Sequence, residues 1–144
     1  MVPDPYHLTR FVQIHPTQAV FEKILLGLSE GEYKHIWMPY LFPQHKSLSV
    51  GQRTRYFSIQ DIHEARAFLT HEFLGGRLIR GVHAALHGSG ENASSVFSVN
   101  DAKRFHACVT LFMNVSDDPV FYDVIDQWYL GYAHEETTDI LGEY

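Results

Sequence analysis

The stretch Asp117-Asp118-Pro119-Val120-Phe121-Tyr122-Asp123-Val124-Ile125-Asp126-Gln127-Trp128 decides the fold class. Two carboxylates stand at what would be the positive end of a helix dipole. A proline follows in the first turn, where its missing N–H costs nothing. Val120, Phe121, Val124, Ile125 and Trp128 then recur at spacings of three and four, which puts them on one face of a helix running towards Gly131. The same period fills most of the chain. Thr17 is placed to cap a helix through about residue 29, with Val20, Phe21, Ile24, Leu25 and Leu28 inward and Gly31 as its stop. Asp61 caps Ile62 to Leu69, and a break near Thr70 precedes Phe73, Leu74, Leu78, Val82 and Leu86. Asn100 or Asp101 would cap the helix carrying Phe105, Cys108, Val109 and Phe112. Shorter pieces are expected around Leu8–Val12, from Ser49 to Tyr56, from Ser94 to Phe97 and from Glu135 to Leu141. Alternating strand patterns, internal repeats and linkers are lacking. The expectation is one all-α domain over residues 1–144, with about six or seven helices around a single core.

Residues 37–44, Trp37-Met38-Pro39-Tyr40-Leu41-Phe42-Pro43-Gln44, break this pattern. Pro39 and Pro43 remove backbone donors and push their predecessors away from helical geometry. An aromatic/proline loop at 35–48 is therefore expected over one end of the bundle, as core filler or as the wall of a pocket. Loops held on a rigid scaffold tend to carry function, so this segment is the expected seat of it.

Composition narrows the partners. At 144 residues, one domain can bury roughly 70% of its unfolded surface. Apolar and charged fractions of 45% and 19% are those of a globular chain. A net charge of −6 argues against nucleic acid and anionic membranes as partners, while leaving room for a local basic pocket. Cys108 stands alone, so no internal disulfide can form, which fits a reducing compartment. The first residues lack a signal-peptide pattern, and no apolar run approaches the roughly 18 residues needed to span a bilayer. A cytoplasmic location is the expectation, and the sequence does not fix an oligomeric state.

Several ordered motifs resemble a known family. They are Tyr6-His7-Leu8-Thr9-Arg10-Phe11, Trp37-Met38, Phe42-Pro43-Gln44, Glu64 to His71, Leu74-Gly75-Gly76-Arg77-Leu78, Thr110-Leu111-Phe112 and Asp117 to Phe121. Together they resemble the domain-of-unknown-function 1810 family over nearly the whole chain. That resemblance implies an α-helical single domain and, as the family's designation says, no assigned activity. The chain departs from the family pattern at polar positions. Pro39 replaces a second tryptophan, and Ile36 stands where a histidine is usual, with His35 one earlier. Arg104, Ala107 and Cys108 replace a lysine and two serines, and His134 replaces an aspartate. A second resemblance, carried by Glu64, Ala65, Leu74, Gly75 and Arg77, is to the NAD- and ADP-ribose-associated family, whose members act on ADP-ribose-type nucleotides.

The residues offer candidates of several kinds. Arg10, Arg77 and Arg104 lie beside core positions, so each guanidinium either turns inward to hold an anion or serves a structural ion pair. Trp37, Tyr40 and Phe42 either stack on a base or fill the core, and Gln44, with His45, would supply polar recognition at a pocket mouth. Glu64 and Asp101 could steer water, and His71 and His106 could move protons; the alternative for such histidines is capping backbone groups. His83 and His87 share a helix face, but no further ligand accompanies them, so no metal site is expected. Cys108 reads as buried and inert. Nucleophile-elbow, phosphate-loop and dinucleotide fingerprints are missing, and no cofactor is expected. The leading expectation is a protein that binds a small nucleotide-like ligand, such as an ADP-ribose-derived metabolite or a cyclic ADP-ribose-type signal. It would sequester or sense that ligand without turnover. An N-glycosidic or ADP-ribosyl hydrolase and a protein-interaction domain are the alternatives.

Overall fold

The computed structural model describes residues 3–142; Met1 and Val2, part of the N-terminal stretch that lacks a signal-peptide pattern, lie outside the described residues. Ten α-helices follow one another, and no β-strand occurs among the described residues. They are α1 (Thr9–Ile14), α2 (Gln18–Glu30), α3 (Met38–Leu41), α4 (Gln52–Tyr56) and α5 (Ile62–Thr70). Next come α6 (Leu74–Leu86), α7 (Ala93–Val96), α8 (Val99–Met113), α9 (Val120–Trp128) and α10 (Glu135–Leu141). The count exceeds six or seven because the short pieces expected near Leu8–Val12, Ser49–Tyr56 and Ser94–Phe97 are helices in their own right, as α1, α4 and α7, and α3 adds one that no apolar period marks.

Helices α6 and α8 form the centre. α6 packs on α2, α5 and α9, while α8 packs on α5, α9 and α10. Phe11, Phe68, Phe112 and Phe121 interlock in one part of the core, with Phe11 edge-on to Phe68 at 4.9 Å between ring centres. Burying each ring contributes about 1.5–3 kcal/mol, so this cluster rather than helix propensity holds the bundle.

Local chemistry sets the helix ends. Thr17 and Asp61 cap α2 and α5 as their sequence positions imply, and Gly31 closes α2 in the left-handed region at φ 76°. Ser98, not Asn100 or Asp101, caps α8: its Oγ accepts from the Asp101 N–H at 3.2 Å, which leaves the Asp101 side chain free for other work. Gly51 rather than Ser49 precedes α4. Val20, expected inside, is 46% exposed.

The 35–48 segment is not a loop over the end of the bundle. It forms a 3-10 turn (His35–Trp37), then α3, then a second 3-10 turn (Lys46–Leu48). Pro39 stands in the first turn of α3, where proline is tolerated. Pro43 follows that helix, and the chain then makes one parallel bridge. The Ile59 N–H donates to the Gln44 carbonyl at 2.9 Å and the Lys46 N–H to the Ile59 carbonyl at 2.8 Å. α3 packs against α6 and α8, with Phe42 edge-on to Phe105 at 5.0 Å. Met38, Tyr40, Leu41 and Phe42 are all buried, so much of the segment is core.

Gly75 explains why two glycines stand in an otherwise good helix. A Cβ at Gly75 would overlap the Leu69 carbonyl, whereas one at Gly76 meets only open space. The expected result is that Gly75→Ala loses about 1–3 kcal/mol through overpacking, while Gly76→Ala is neutral or slightly stabilising. Paired thermal melts check this; equal melting temperatures would contradict the close α5–α6 approach.

Candidate functional site

Two adjoining concavities meet at Gln44 and Arg104. The inner one, about 40 Å³, lies among Met38, Pro39, Phe42 and Phe57, with His35 and Thr54 at its polar side. It admits the edge of a ring or one or two waters. The outer one, about 210 Å³, is bordered by Asn100, Lys103, His134 and Glu136. The two share Gln44 and Arg104 and form one cleft of mixed polar and apolar lining.

Asp101 organises this cleft. It sits in the first turn of α8 with 0% exposure. Its Oδ1 accepts from Arg104 Nη1 at 2.7 Å, and its Oδ2 lies 2.6 Å from His35 Nδ1. A carboxylate only accepts, so Nδ1 carries the proton, and in the neutral ring the lone pair is on Nε2. The His35 side chain is 74% exposed, so Nε2 is accessible while the other nitrogen is fixed. Tyr33 completes the cluster: burial pushes its phenol far above the usual range, and the charge and hydrogen bond of Asp101 push it further. At the outer end, His134 Nδ1 accepts from the Thr137 N–H at 3.3 Å, so the neutral ring keeps its proton on Nε2. Partial burial lowers the His134 pKa, which favours that neutral form.

The three arginines do not converge. Arg10 is 8% exposed and gives all five donors to the protein. They go to the carbonyls of Tyr56, Tyr6, His7 and Ser58 and to Glu64 Oε2 at 2.6 Å. Glu64 accepts from the Gln60 N–H through its other oxygen, so both partners are structural. Arg77 is buried between the rings of Phe21 and Phe73, at 4.3 and 4.2 Å, and donates to the Pro16 carbonyl at 2.8 Å. Only Arg104 faces the cleft.

Other expected site residues are placed elsewhere. His71 Nδ1 accepts from the Phe73 and Leu74 N–H groups, so it caps α6 and leaves no open helix end for a phosphate. His106 donates from Nε2 to the Tyr132 carbonyl at 2.7 Å and stacks on Tyr129 at 3.7 Å. Its ring stands edge-on to His134 rather than lining the cleft. Trp37 lies along a separate apolar groove with Val20 and Leu26, joined to Tyr33 by an edge contact. Tyr40 is core, edge-on to His15. Phe42, Gln44, Asp101 and Arg104 are therefore brought together, and the remaining candidates are dispersed. His35 was the missed residue. Its only sequence signal was its place one before the position where the resembled family carries a histidine.

Neither metal nor thiol chemistry finds support in the side-chain clusters. No group of three His, Cys, Asp or Glu side chains suited to a metal ion occurs among the described residues, although His83 and His87 stack at 5.4 Å. Cys108 is fully buried, and burial pushes its thiol pKa well up.

His15 makes the molecule acid-sensitive. Desolvation first, and the nearby Arg77 guanidinium second, lower its pKa from 6.5 to about 4. The unfolded chain then binds a proton that the folded one refuses between those values. Stability from this group is full above about pH 6.5 and falls as pH drops towards 4, by on the order of 3 kcal/mol. Urea melts of the wild type and His15→Phe at pH 7 and 4.5 check it: the wild type should lose more between the two pH values. Equal losses would contradict it.

A model of the family described as "Protein of unknown function (DUF1810)" matches residues 5–141. No curated protein matches the chain. Among solved structures, the conserved hypothetical protein Rv1873 from Mycobacterium tuberculosis is similar, with a TM-score of 0.88 and 26% identity. The match covers 96% of this chain and 99% of that one. Pro39, Arg104 and His134 line the cleft, Ile36 is exposed, and Ala107 and Cys108 are core.

Proposed function

The chain belongs to the DUF1810 family, and we propose that it holds a small nucleotide-like ligand, of the ADP-ribose class, in the cleft between Phe42 and His134. The observation that carries this reading is the disposition of Arg104. Among the described residues it gives one hydrogen bond to the protein, from Nη1 to Asp101, and its other donors are left for a ligand. A guanidinium anchored by a buried carboxylate is pre-oriented, and its planar fork suits phosphate oxygens. Lys103 adds charge beside it, and Phe42 and Phe57 give apolar surface for a ring edge. The chain's net charge of −6 disfavours an extended polyanion, so a small anion fits better than nucleic acid.

Of the 37–44 aromatics, Tyr40 and Phe42 are buried, so a protein-interaction reading would rest on the separate Trp37 groove with Val20 and Leu26. No helix among the described residues is long and apolar enough to cross a membrane.

Isothermal titration with ADP-ribose, AMP and adenosine tests the proposal. ADP-ribose and AMP should bind, and phosphate-free adenosine should not. Gln44 is buried and borders both concavities, so Gln44→Ala should weaken ADP-ribose binding by roughly tenfold, the worth of one hydrogen bond. Equal binding of adenosine, or an unchanged Gln44→Ala, would remove the anion from the proposal.

A further inference from the structure

We propose that His35 and Asp101 are a general-base pair, and that the cleft catalyses transfer of a ligand's phosphoryl group to water. This rests on the cleft being the ligand site, and it replaces binding without turnover by hydrolysis.

Three features of the cluster support it. First, the geometry is that of an oriented imidazole: a fully buried carboxylate accepts a hydrogen bond from the Nδ1–H at 2.6 Å and fixes the ring. The His35 side chain borders the inner cavity and is 74% exposed, and in the neutral ring Nε2 is the nitrogen that can accept a proton. A histidine present only for surface polarity would not need a carboxylate withdrawn completely from water, and burying one is costly unless it is paired. Second, Asp101 also holds Arg104, so base and cation are fixed relative to each other by one side chain. Third, Arg104 and Gln44 border both concavities, with His35 at the inner one and His134, protonated on Nε2 when neutral, at the outer one beside Glu136. An acceptor, a cation and a neutral donor therefore follow one another along the cleft. That order suits attack on phosphorus, where water must lose a proton and both the phosphoryl and the departing oxygens gain charge.

The step balances without a co-reactant. The water oxygen bonds to phosphorus as its proton passes to His35 Nε2, and the bond from phosphorus to the leaving oxygen breaks. That oxygen departs as an anion, with Arg104 and the His134 N–H as donors, and takes a proton from solvent. His35 then releases its proton to solvent. Asp101 is a positioning residue, because it acts through His35.

Two probes are used: bis(p-nitrophenyl) phosphate, whose leaving group needs no acid, and ADP-ribose. Binding of ADP-ribose is measured alongside by titration calorimetry. The expected result is cleavage of at least one probe. His35→Ala should lower kcat by about 100-fold or more with KM changed less than about threefold. Imidazole added to His35→Gly should restore part of the rate. Asp101→Asn should lower kcat by about tenfold or more at similar KM, and 15N NMR should show His35 losing its single Nδ1–H tautomer. Circular dichroism confirms folding, and His35→Gln tests the base should the Asp101 variant unfold. If ADP-ribose binds and neither probe is cleaved, the base pair is overturned and the binding proposal stands. Cleavage that survives His35→Ala and His35→Gln also overturns the pair. If ADP-ribose neither binds nor reacts, the binding proposal falls, and if bis(p-nitrophenyl) phosphate is also left uncleaved the base pair falls with it.

Discussion

Arg10→Ala is expected to cost about 3–5 kcal/mol of folding free energy, the range for breaking a buried ion pair by removing one partner. The guanidinium ties the chain before α1 to the Tyr56–Ser58 turn and to α5 through five hydrogen bonds. Removing it strands the Glu64 carboxylate, which is 2% exposed, and deprives four carbonyls of a donor. Glu64→Gln should cost less, since an amide leaves no buried charge. The double change Arg10→Met with Glu64→Leu should recover part of the loss, because an apolar pair of similar volume needs no charge compensation. Urea melts of the single and double variants form the test. A loss under about 1 kcal/mol for Arg10→Ala would mean that the network is open to water.

The second large effect concerns affinity. Arg104→Ala should weaken ADP-ribose binding by about 100-fold, since each charge-assisted hydrogen bond contributes about 1.5–3 kcal/mol. Arg104→Lys should recover only part, because an ammonium cannot reproduce the planar fork. Stability should also fall, because Arg104→Ala removes the guanidinium beside the fully buried Asp101 carboxylate, so folding is confirmed by circular dichroism before titration. Calorimetric titration of the three proteins reads the difference. Wild-type affinity in Arg104→Ala would place the anion elsewhere.

The long helices were legible because their information is local. The Asp117–Trp128 stretch carries cap, dipole and apolar period within twelve residues, and α9 duly runs from Val120 to Trp128. Residues 35–48 were not legible as helix. Two prolines usually end a helix, yet Pro39 falls in a first turn and Pro43 just beyond a last one. For the site, residue type was informative and partnership was not. Arg10, Arg77 and Arg104 look alike in sequence, each beside core positions. Their roles separate only when Glu64, fifty-four residues from Arg10, and Phe21 and Phe73, on either side of Arg77, come into view. His35 meets Asp101 across sixty-six residues, a pairing that no periodicity announces.

The most direct test of the cleft as the ligand site is a 1H–15N correlation titration with ADP-ribose. Binding there predicts saturable shifts at the Gln44 side-chain amide, at Thr54, and along the first turns of α8 and α10, around Arg104 and His134. Shifts gathered instead around the Arg10–Glu64 pair or along the Trp37 groove, or none at millimolar ligand, would contradict it.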